Sequence, residues 1–342
     1  MPDKLTEREL RVLEAVVQTY IETAEPAGSQ TIARRFGLGV SAATIRNTMS
    51  DLEEKGYLFH PHPSAGRIPT DRAYRVYVNE IMRLAPPTDE ARQALHSELI
   101  GARNAVEEIL RRAAQVLGVL TQELGVAVAP ALDELVLERL ELVPVSTERL
   151  LLVFNLRSGL VRTIFVEVPG RLSAESVQDV ARVLNERLSG LTLQQIRSTL
   201  PERLRDAGGR ETRELLNIFI AEAEDIFDLS DEPNAVLLGS AQMLAGQPEF
   251  ASNARMRDLL RLTEGRDLLQ RALAARRQTG LSITIGAENP DARLTEFTLV
   301  TASYEAGSLK GVIGVMGPTR MPYDKIIGLV EHTSRMVEDL LE

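Results

Sequence analysis

Apolar residues recur along this chain with two rhythms. Over most of it they return every three to four positions, as on a helix with one buried face; in two stretches, 137–168 and 282–316, they crowd or alternate as strands do. Near the N-terminus Thr6 and Glu9 have the spacing of a capping box, and Leu10, Leu13, Val17, Tyr20 and Ile21 mark one side of a helix ending before Glu25-Pro26. Ser29 caps a second helix, which carries Ile32, Ala33 and Phe36 and is closed by Gly37. Ser41 caps a third, with Ile45, Met49 and Leu52 at i, i+4 and i+7, and Gly56 stops it. Tyr57, Leu58 and Phe59 then lead into a hairpin whose tip is Ser64-Ala65-Gly66-Arg67. Three short helices followed by a hairpin predict a winged helix-turn-helix, completed by a helix over 71–84 with Tyr74, Tyr77 and Ile81 on one side.

Pro86-Pro87 makes a stiff linker and sets a boundary, so the first domain spans 1–84. Beyond it Leu95, Leu99, Ala102, Val106, Ile109, Ala113, Val116 and Leu120 step by four and three, which reads as a long helix laid on a sheet, with a dimer seam as the alternative. Strands follow at 137–144, 149–157 and 160–168, with turns at Ser146-Thr147 and Ser158-Gly159 and a stop at Pro169-Gly170. Ser173 caps a helix with Val177, Val180, Leu184 and Leu188, and Thr192 with Gln195 opens another. Strands return at 282–286, 297–304 and 309–316, the last two joined across Ala306-Gly307-Ser308, and a helix closes the chain after Pro322. The segment between, 204–280, has almost wholly helical spacing, Val236–Met243 included. The expectation is an α+β multidomain protein: residues 88–203 and 281–342 form two parts of one α+β domain with an antiparallel sheet, interrupted by a mostly helical insert at 204–280. Leu215, Ile218, Phe219, Ile226, Phe227, Leu259, Leu260 and Leu262 give that insert more apolar surface than a short excursion hides, which marks it as the expected dimer interface. Gly311, Gly314 and Gly317 come in steps of three inside a strand and predict close strand packing rather than a nucleotide loop.

Charge changes the picture at the N-terminus. The chain carries net charge −10, yet residues 1–84 hold eleven Lys/Arg and eleven Asp/Glu, so the acidic excess lies wholly downstream. From Ala27 to Ser50 there are three arginines, 34, 35 and 46, and no acid. With Ile45, Met49 and Leu52 turned inward, the third helix presents Ala42, Ala43, Thr44, Arg46, Asn47 and Ser50, and its acids begin only at Asp51. Short side chains, an Arg to fork onto guanine, an Asn to pair with adenine and a positive helix N-terminus are what a helix entering a DNA major groove needs. An ordinary amphipathic surface helix has the same spacing, so the hairpin and the charge separation carry the argument. The candidate DNA-binding residues are Ser41, Ala42, Thr44, Arg46, Asn47 and Ser50 on the helix, and His62, Ser64, Gly66 and Arg67 on the hairpin. Gly66 is expected at positive φ, letting Arg67 project toward phosphate or a narrow minor groove while Pro61, Pro63 and Pro69 stiffen the loop.

Other chemistry is thin. With no Cys, thiolate metal sites, disulfides and cysteine nucleophiles are excluded, which also fits a reducing cytoplasm. His60 and His62 form an H-x-H pair, but only His96 and His332 remain to help them, so hairpin residues near phosphate are the better account and neither metal nor cofactor is expected. No nucleophile with a base stands out, so the chain does not read as an enzyme. No run approaches eighteen apolar residues and the N-terminus lacks an apolar signal region, so neither a membrane partner nor export is expected.

Two stretches carry a family resemblance: SAGRIPTDRAYRVYV from Ser64 to Val78, and IGVMGPTRMPYDKIIGLVE from Ile313 to Glu331. Both resemble the heat-inducible transcription repressor family, HrcA, and the likeness runs to the C-terminus. The resemblance implies a winged helix, a GAF-like domain and an inserted dimerisation domain. It also implies a homodimeric repressor that binds an inverted-repeat operator in double-stranded DNA ahead of chaperone genes, is released on heat stress, and is kept active by a GroEL-type chaperonin. The alternative from a different class is a small-molecule-binding GAF-type regulatory protein that uses its winged helix for protein contacts.

Overall fold

A computed structural model of the chain describes residues 4–62, 65–100, 106–130, 134–157, 161–168, 173–207, 210–227, 236–277, 279–307 and 309–341. The expected turns at Ser158-Gly159 and Pro169-Gly170, the hairpin residue Ser64 and the turn residue Ser308 lie outside the described residues. Two compact units emerge. One comprises Met1–Val128, Val236–Ser303 and Val312–Val337; the other comprises Ala129–Ala235, Tyr304–Gly311 and Glu338–Glu342.

The first unit begins with α1 (Glu7–Thr23), α2 (Ser29–Phe36) and α3 (Ala42–Glu54), then the short strands β1 (Leu58–Phe59) and β2 (Ile68–Pro69). The cap pattern explains these boundaries. Thr6 Oγ1 accepts from Glu9 N–H at 3.3 Å while Glu9 Oε2 accepts from Thr6 N–H at 2.8 Å, so two otherwise unpaired donors at the start of α1 are satisfied reciprocally. Leu13, Val16 and Val17 of α1, Ile32 of α2, and Ile45 and Leu52 of α3 meet in one small core. The hairpin pairs Leu58 with Pro69 and Phe59 with Ile68. It leads into α4 (Asp71–Val76), which continues as one π-helical turn, Tyr77–Ile81.

After the linker come α5 (Asp89–Ile100) and α6 (Val106–Thr121), the two described parts of the heptad stretch, with 101–105 outside the described residues. Next is β3 (Leu124–Val128), a strand absent from the sequence reading: all five of its residues are buried, so no alternation betrays it. It is the second strand of a five-stranded sheet completed by β7 (Val236–Leu238), β8 (Leu281–Ile285), β9 (Phe297–Ala306) and β10 (Leu309–Pro318), in the order β7-β3-β10-β9-β8. Residues Val236–Leu238 are thus a strand, not the start of a helix as their spacing suggested; a three-residue apolar run has no period to read. The helices α11 (Gln242–Ala245), α12 (Asn253–Glu264) and α13 (Arg266–Ala274) follow, and α14 (Tyr323–Leu341) closes the chain. Leu259, Leu262, Leu268, Leu269 and Leu273 bury themselves against Leu124, Val126, Leu299, Val312 and Met316 of the sheet. The glycine steps in β10 do mark close packing: a Cβ on Gly314 would stand 2.1 Å from the Val300 carbonyl oxygen, and one on Gly317 would stand 2.1 Å from Glu123 Oε2.

The second unit holds a three-stranded antiparallel sheet of β4 (Leu137–Ser146), β5 (Arg149–Leu156) and β6 (Val161–Glu167), with α7 (Ala174–Leu188), α8 (Leu193–Leu204), α9 (Arg210–Ala221) and α10 (Ala223–Phe227). Leu140, Leu150, Leu152, Phe154, Leu156 and Val166 are buried on one face, and Phe227 of α10 meets Phe154 edge-on at 5.6 Å. The expected insert at 204–280 is therefore divided: 204–235 lies with this unit and 236–280 with the other. The physical reason is that its apolar residues are spent on two separate cores. Leu215, Phe219, Ile226 and Phe227 are buried here and Leu259 and Leu262 in the first unit, leaving Leu260 as the exposed exception at 46%.

One buried acid has a consequence for stability. Glu123 is 2% exposed, takes a 3.0 Å hydrogen bond from Gln247 and lies in the field of Arg320 and Glu249. Burial, opposed by Gln247 and Arg320 and aided by Glu249, holds its carboxyl well above the usual range. The unfolded chain gives up this proton near about pH 4.3, whereas the folded chain keeps it to higher pH, so Glu123 stabilises fully only below that point and progressively less as pH rises. Glu123→Gln should therefore gain on the parent protein in unfolding free energy from urea titrations as pH rises from 4.5, by about 1.4 kcal/mol for each unit of pH until the folded carboxyl titrates, seen as a diverging urea midpoint. Midpoints that stay parallel over that range would contradict it.

Candidate nucleic-acid interface

Helix α3 owes its direction to its first turn. Ser41 Oγ accepts from Thr44 N–H at 3.1 Å, and Ser41 and Thr44 share a further hydroxyl contact at 3.0 Å, so the cap is closed by side chains too short to cover the helix end. Ile45, Thr48, Met49 and Leu52 are buried beneath it. Ser41, Arg46 and Asn47 are exposed and Ala42, Thr44 and Ser50 half-buried, so the six helix residues expected at the interface do share the outward face. Among the described residues neither Arg46 nor Asn47 makes a hydrogen bond or an ion pair, and no acid stands in the first turn. An exposed guanidinium and amide left without partners beside a positive helix end are available to an external acceptor.

The hairpin is arranged differently from the expectation. Gly66 does not sit at positive φ. It is required because the loop presses on the turn between α1 and α2: a Cβ there would lie 2.4 Å from the Ala27 carbonyl oxygen. Arg67 and Ala27 exchange backbone hydrogen bonds of 2.8 and 2.9 Å, adding a one-residue bridge to the hairpin. The Arg67 side chain does not project outward either. It pairs with Glu53 of α3 at 2.7 Å, contacts His60 and is only 15% exposed, because the Glu53 carboxylate within reach holds the guanidinium back against the fold. His60 in turn meets the Ala65 carbonyl at 2.9 Å. His62 is exposed at the tip, and Ser64 lies outside the described residues.

Between α3 and the hairpin runs a cleft of 380 Å³, with Arg46 and Met49 on one wall, His60, Ala65 and Gly66 on the other, and Gly28 and Ser29 at the start of α2. Helix α2 has no side-chain cap, so its first N–H groups remain open beside the cleft. Sequence reasoning missed this contribution and the Glu53–Arg67 pair. The Ser29 cap assignment suggested a closed end, and Glu53 and Arg67 are brought together only by the fold. Two acids of α1 are likewise engaged: Glu9 pairs with Lys55 at 2.7 Å, and Glu22 pairs with Arg35. Burial pushes the Glu9 carboxyl up, but hydrogen bonds from Lys55 and Thr6 outweigh it and leave the group below its ordinary value. The outward face of α3 is thus polar, cationic and free of acid over its first two turns, a shape and charge suited to an anionic polymer.

Comparison with known proteins bears on the whole chain. A family model described as "HrcA protein C terminal domain" matches residues 107–327. The heat-inducible transcription repressor HrcA of Chlorobium phaeobacteroides (strain BS1) is 39% identical over 339 residues, covering 96% of each chain. That of Chlorobaculum tepidum is 37% identical over 352 residues and covers 98% of each. A solved structure described only as a hypothetical protein superposes with a TM-score of 0.69 over 99% of both chains at 24% identity, which shows a shared fold. With a family model over more than half of its length and close relatives over nearly all of it, the chain belongs to the HrcA family of heat-inducible transcription repressors.

Proposed function

We propose that this protein is a cytoplasmic, non-enzymatic repressor of heat-shock genes whose N-terminal winged helix seats α3 in the major groove of an inverted-repeat operator. The observation that carries this reading is the acid-free outer face of α3, with Arg46 and Asn47 exposed and unpaired among the described residues beside an open cleft. Arg46 and Asn47 read bases, Ser41, Thr44 and the start of α2 take phosphate, and the hairpin flanks them. Family membership adds release on heating and a GroEL-type chaperonin that maintains the active form. The five-stranded sheet with its flanking helices is the counterpart of the GAF-like domain, and the second unit that of the inserted one.

Two copies are needed to match an inverted repeat. The open face of the second unit's sheet supports pairing there: Val143, Leu151 and Phe165 lie side by side across β4, β5 and β6. Val143, Val145, Val161 and Phe165 are 43%, 55%, 55% and 60% exposed, an apolar patch beyond what a surface strand ordinarily shows. A second copy of the same face covers it by two-fold symmetry.

Arg46→Ala should cost about 1 to 3 kcal/mol of operator binding and relax preference at one base pair per half-site, measured by gel shift against single-base operator variants. Equal losses on operator and random duplex would move Arg46 to phosphate. For Arg67 the expectation is indirect. Arg67→Ala should weaken all DNA by exposing Glu53, and the double variant Arg67→Ala, Glu53→Gln should recover most of the loss; failure to recover would mean that Arg67 itself touches phosphate. Phe165→Glu with Val143→Glu should sediment as a folded monomer at micromolar concentration and lose operator affinity by orders of magnitude. A dimer of unaltered affinity would place the interface elsewhere.

A further inference from the structure

A second cleft, of 460 Å³, lies where the linker Leu84–Pro87 runs beside α14. Its apolar side comes from the linker, with Leu84 left 54% exposed at the edge. The linker is pressed on the helix here: a Cβ on Gly328 would stand 2.3 Å from the Ala85 carbonyl oxygen. The polar side holds Arg92 from α5 and Glu331, His332 and Arg335 from α14; the linker brings no titratable group. His332 Nε2 is buried and has no hydrogen-bond partner among the described residues. Arg335 makes no ion pair among the described residues and bonds only the Glu331 carbonyl, at 3.3 Å, while Arg92 has a single weak partner in exposed Asp89 at 3.7 Å. Two poorly compensated guanidiniums and an orphaned imidazole nitrogen line one cleft, and buried polar atoms left unpaired in native proteins call for a partner.

We propose that this cleft binds a small organic anion, its carboxylate or phosphoryl group received by Arg92, Arg335 and the Nε2–H of His332 and its apolar body laid against Leu84 and Pro86-Pro87. The ligand holds the linker to α14, so its occupancy stiffens the connection that leads into the first domain. Burial, then Arg335 and Arg92, hold the His332 imidazole below its ordinary value; Glu331, the one acid in the cleft, does not reverse this. An anion between the two guanidiniums offsets their charge and raises it again.

The test uses the full chain and three probes at millimolar concentration: phenyl phosphate, benzoate and inorganic phosphate. With only four histidines, the ring proton signals resolve in NMR, and His332→Gln identifies the relevant one. Phenyl phosphate or benzoate should shift the His332 signal saturably and move its titration midpoint up toward about 6.5, leaving His60, His62 and His96 in place. The better of the two identifies the head group. Arg92→Gln with Arg335→Gln, both on exposed side chains, should abolish the response. No shift with any probe, a shift matched by sodium chloride at equal ionic strength, or a response retained in the double variant would each overturn the site. Inorganic phosphate matching phenyl phosphate would overturn the role given to the apolar wall.

Discussion

The seat of α4 ties the N-terminal helices and hairpin to the rest of the first unit. The hairpin runs directly into α4, and within the first unit that helix is fixed by contacts of different kinds. Tyr74 packs against fully buried Tyr323 with ring centroids 5.8 Å apart. Arg75 grips Glu288 with two nitrogens and donates to the Ile283 carbonyl at 2.7 Å, while Asp71 accepts from Ala287 N–H at 2.8 Å. Arg320 pairs with Glu249 at 2.6 Å and caps the Ile21 carbonyl near the end of α1 at 2.8 Å. Magnitudes separate the roles. Burying two tyrosines is worth several kcal/mol at about 25 cal/mol per Å², whereas half-exposed ion pairs are worth about 1 kcal/mol or less. The rings hold the seat and the ion pairs set its angle, because a bidentate Arg–carboxylate contact tolerates little rotation. Gly286 shows how tight the fit is: at φ +54°, a Cβ on it would also strike the Asp71 carboxylate.

The same economy governs charge. Residues 1–84 carry no net charge, so an anion can be drawn to one face only if the acids there are removed or paired locally. Glu9, Glu22 and Glu53 are each tied to a cation, Lys55, Arg35 and Arg67, and those pairs leave Arg46 unmatched at the front of α3. Because exposed charges are screened beyond about 10 Å at ordinary salt, what an approaching phosphate meets is this local arrangement and not the chain's overall −10.

What could be read without the fold was what depends on neighbours in sequence. The caps at Thr6, Ser41, Ser173 and Thr192 form as their spacing implies, since each is a contact across three residues. The outer face of α3 was legible for the same reason: period and burial agree. Contacts across longer spans were not. Gly66 is needed against Ala27, Arg67 turns back to Glu53, and Phe227 finds Phe154, none of which has a local signature. The strands β3 and β7 were hidden because apolar runs of five and three residues carry no period, and placing β7 in the sheet is what divides the expected insert. An apolar count also cannot say whether a surface is closed by its own chain. Leu215 and Phe219 are closed, whereas Val161 and Phe165, inside a strand that looked ordinary, are open.

These two facts, an N-terminal stretch of 84 residues without net charge and an open apolar sheet face, bear on each other through energetics alone. A DNA reader can draw affinity from many phosphate contacts, and then it binds all sequences and weakens steeply with salt. Here the unpaired cations near α3 are few, and the acidic remainder of the chain adds no attraction for duplex. The non-specific term is therefore small, and what one head gains from base contacts is on the order of 1 to 3 kcal/mol for each good pair. That is too little to single out an operator among a genome's competing sites. Joining two such heads raises the second contact to an effective concentration around millimolar and multiplies selectivity without adding a single cation. On the proposed pairing, a repressor built this way would trade electrostatic affinity for dependence on its partner copy, so that loss of pairing would end repression while every side chain proposed to read bases stayed intact.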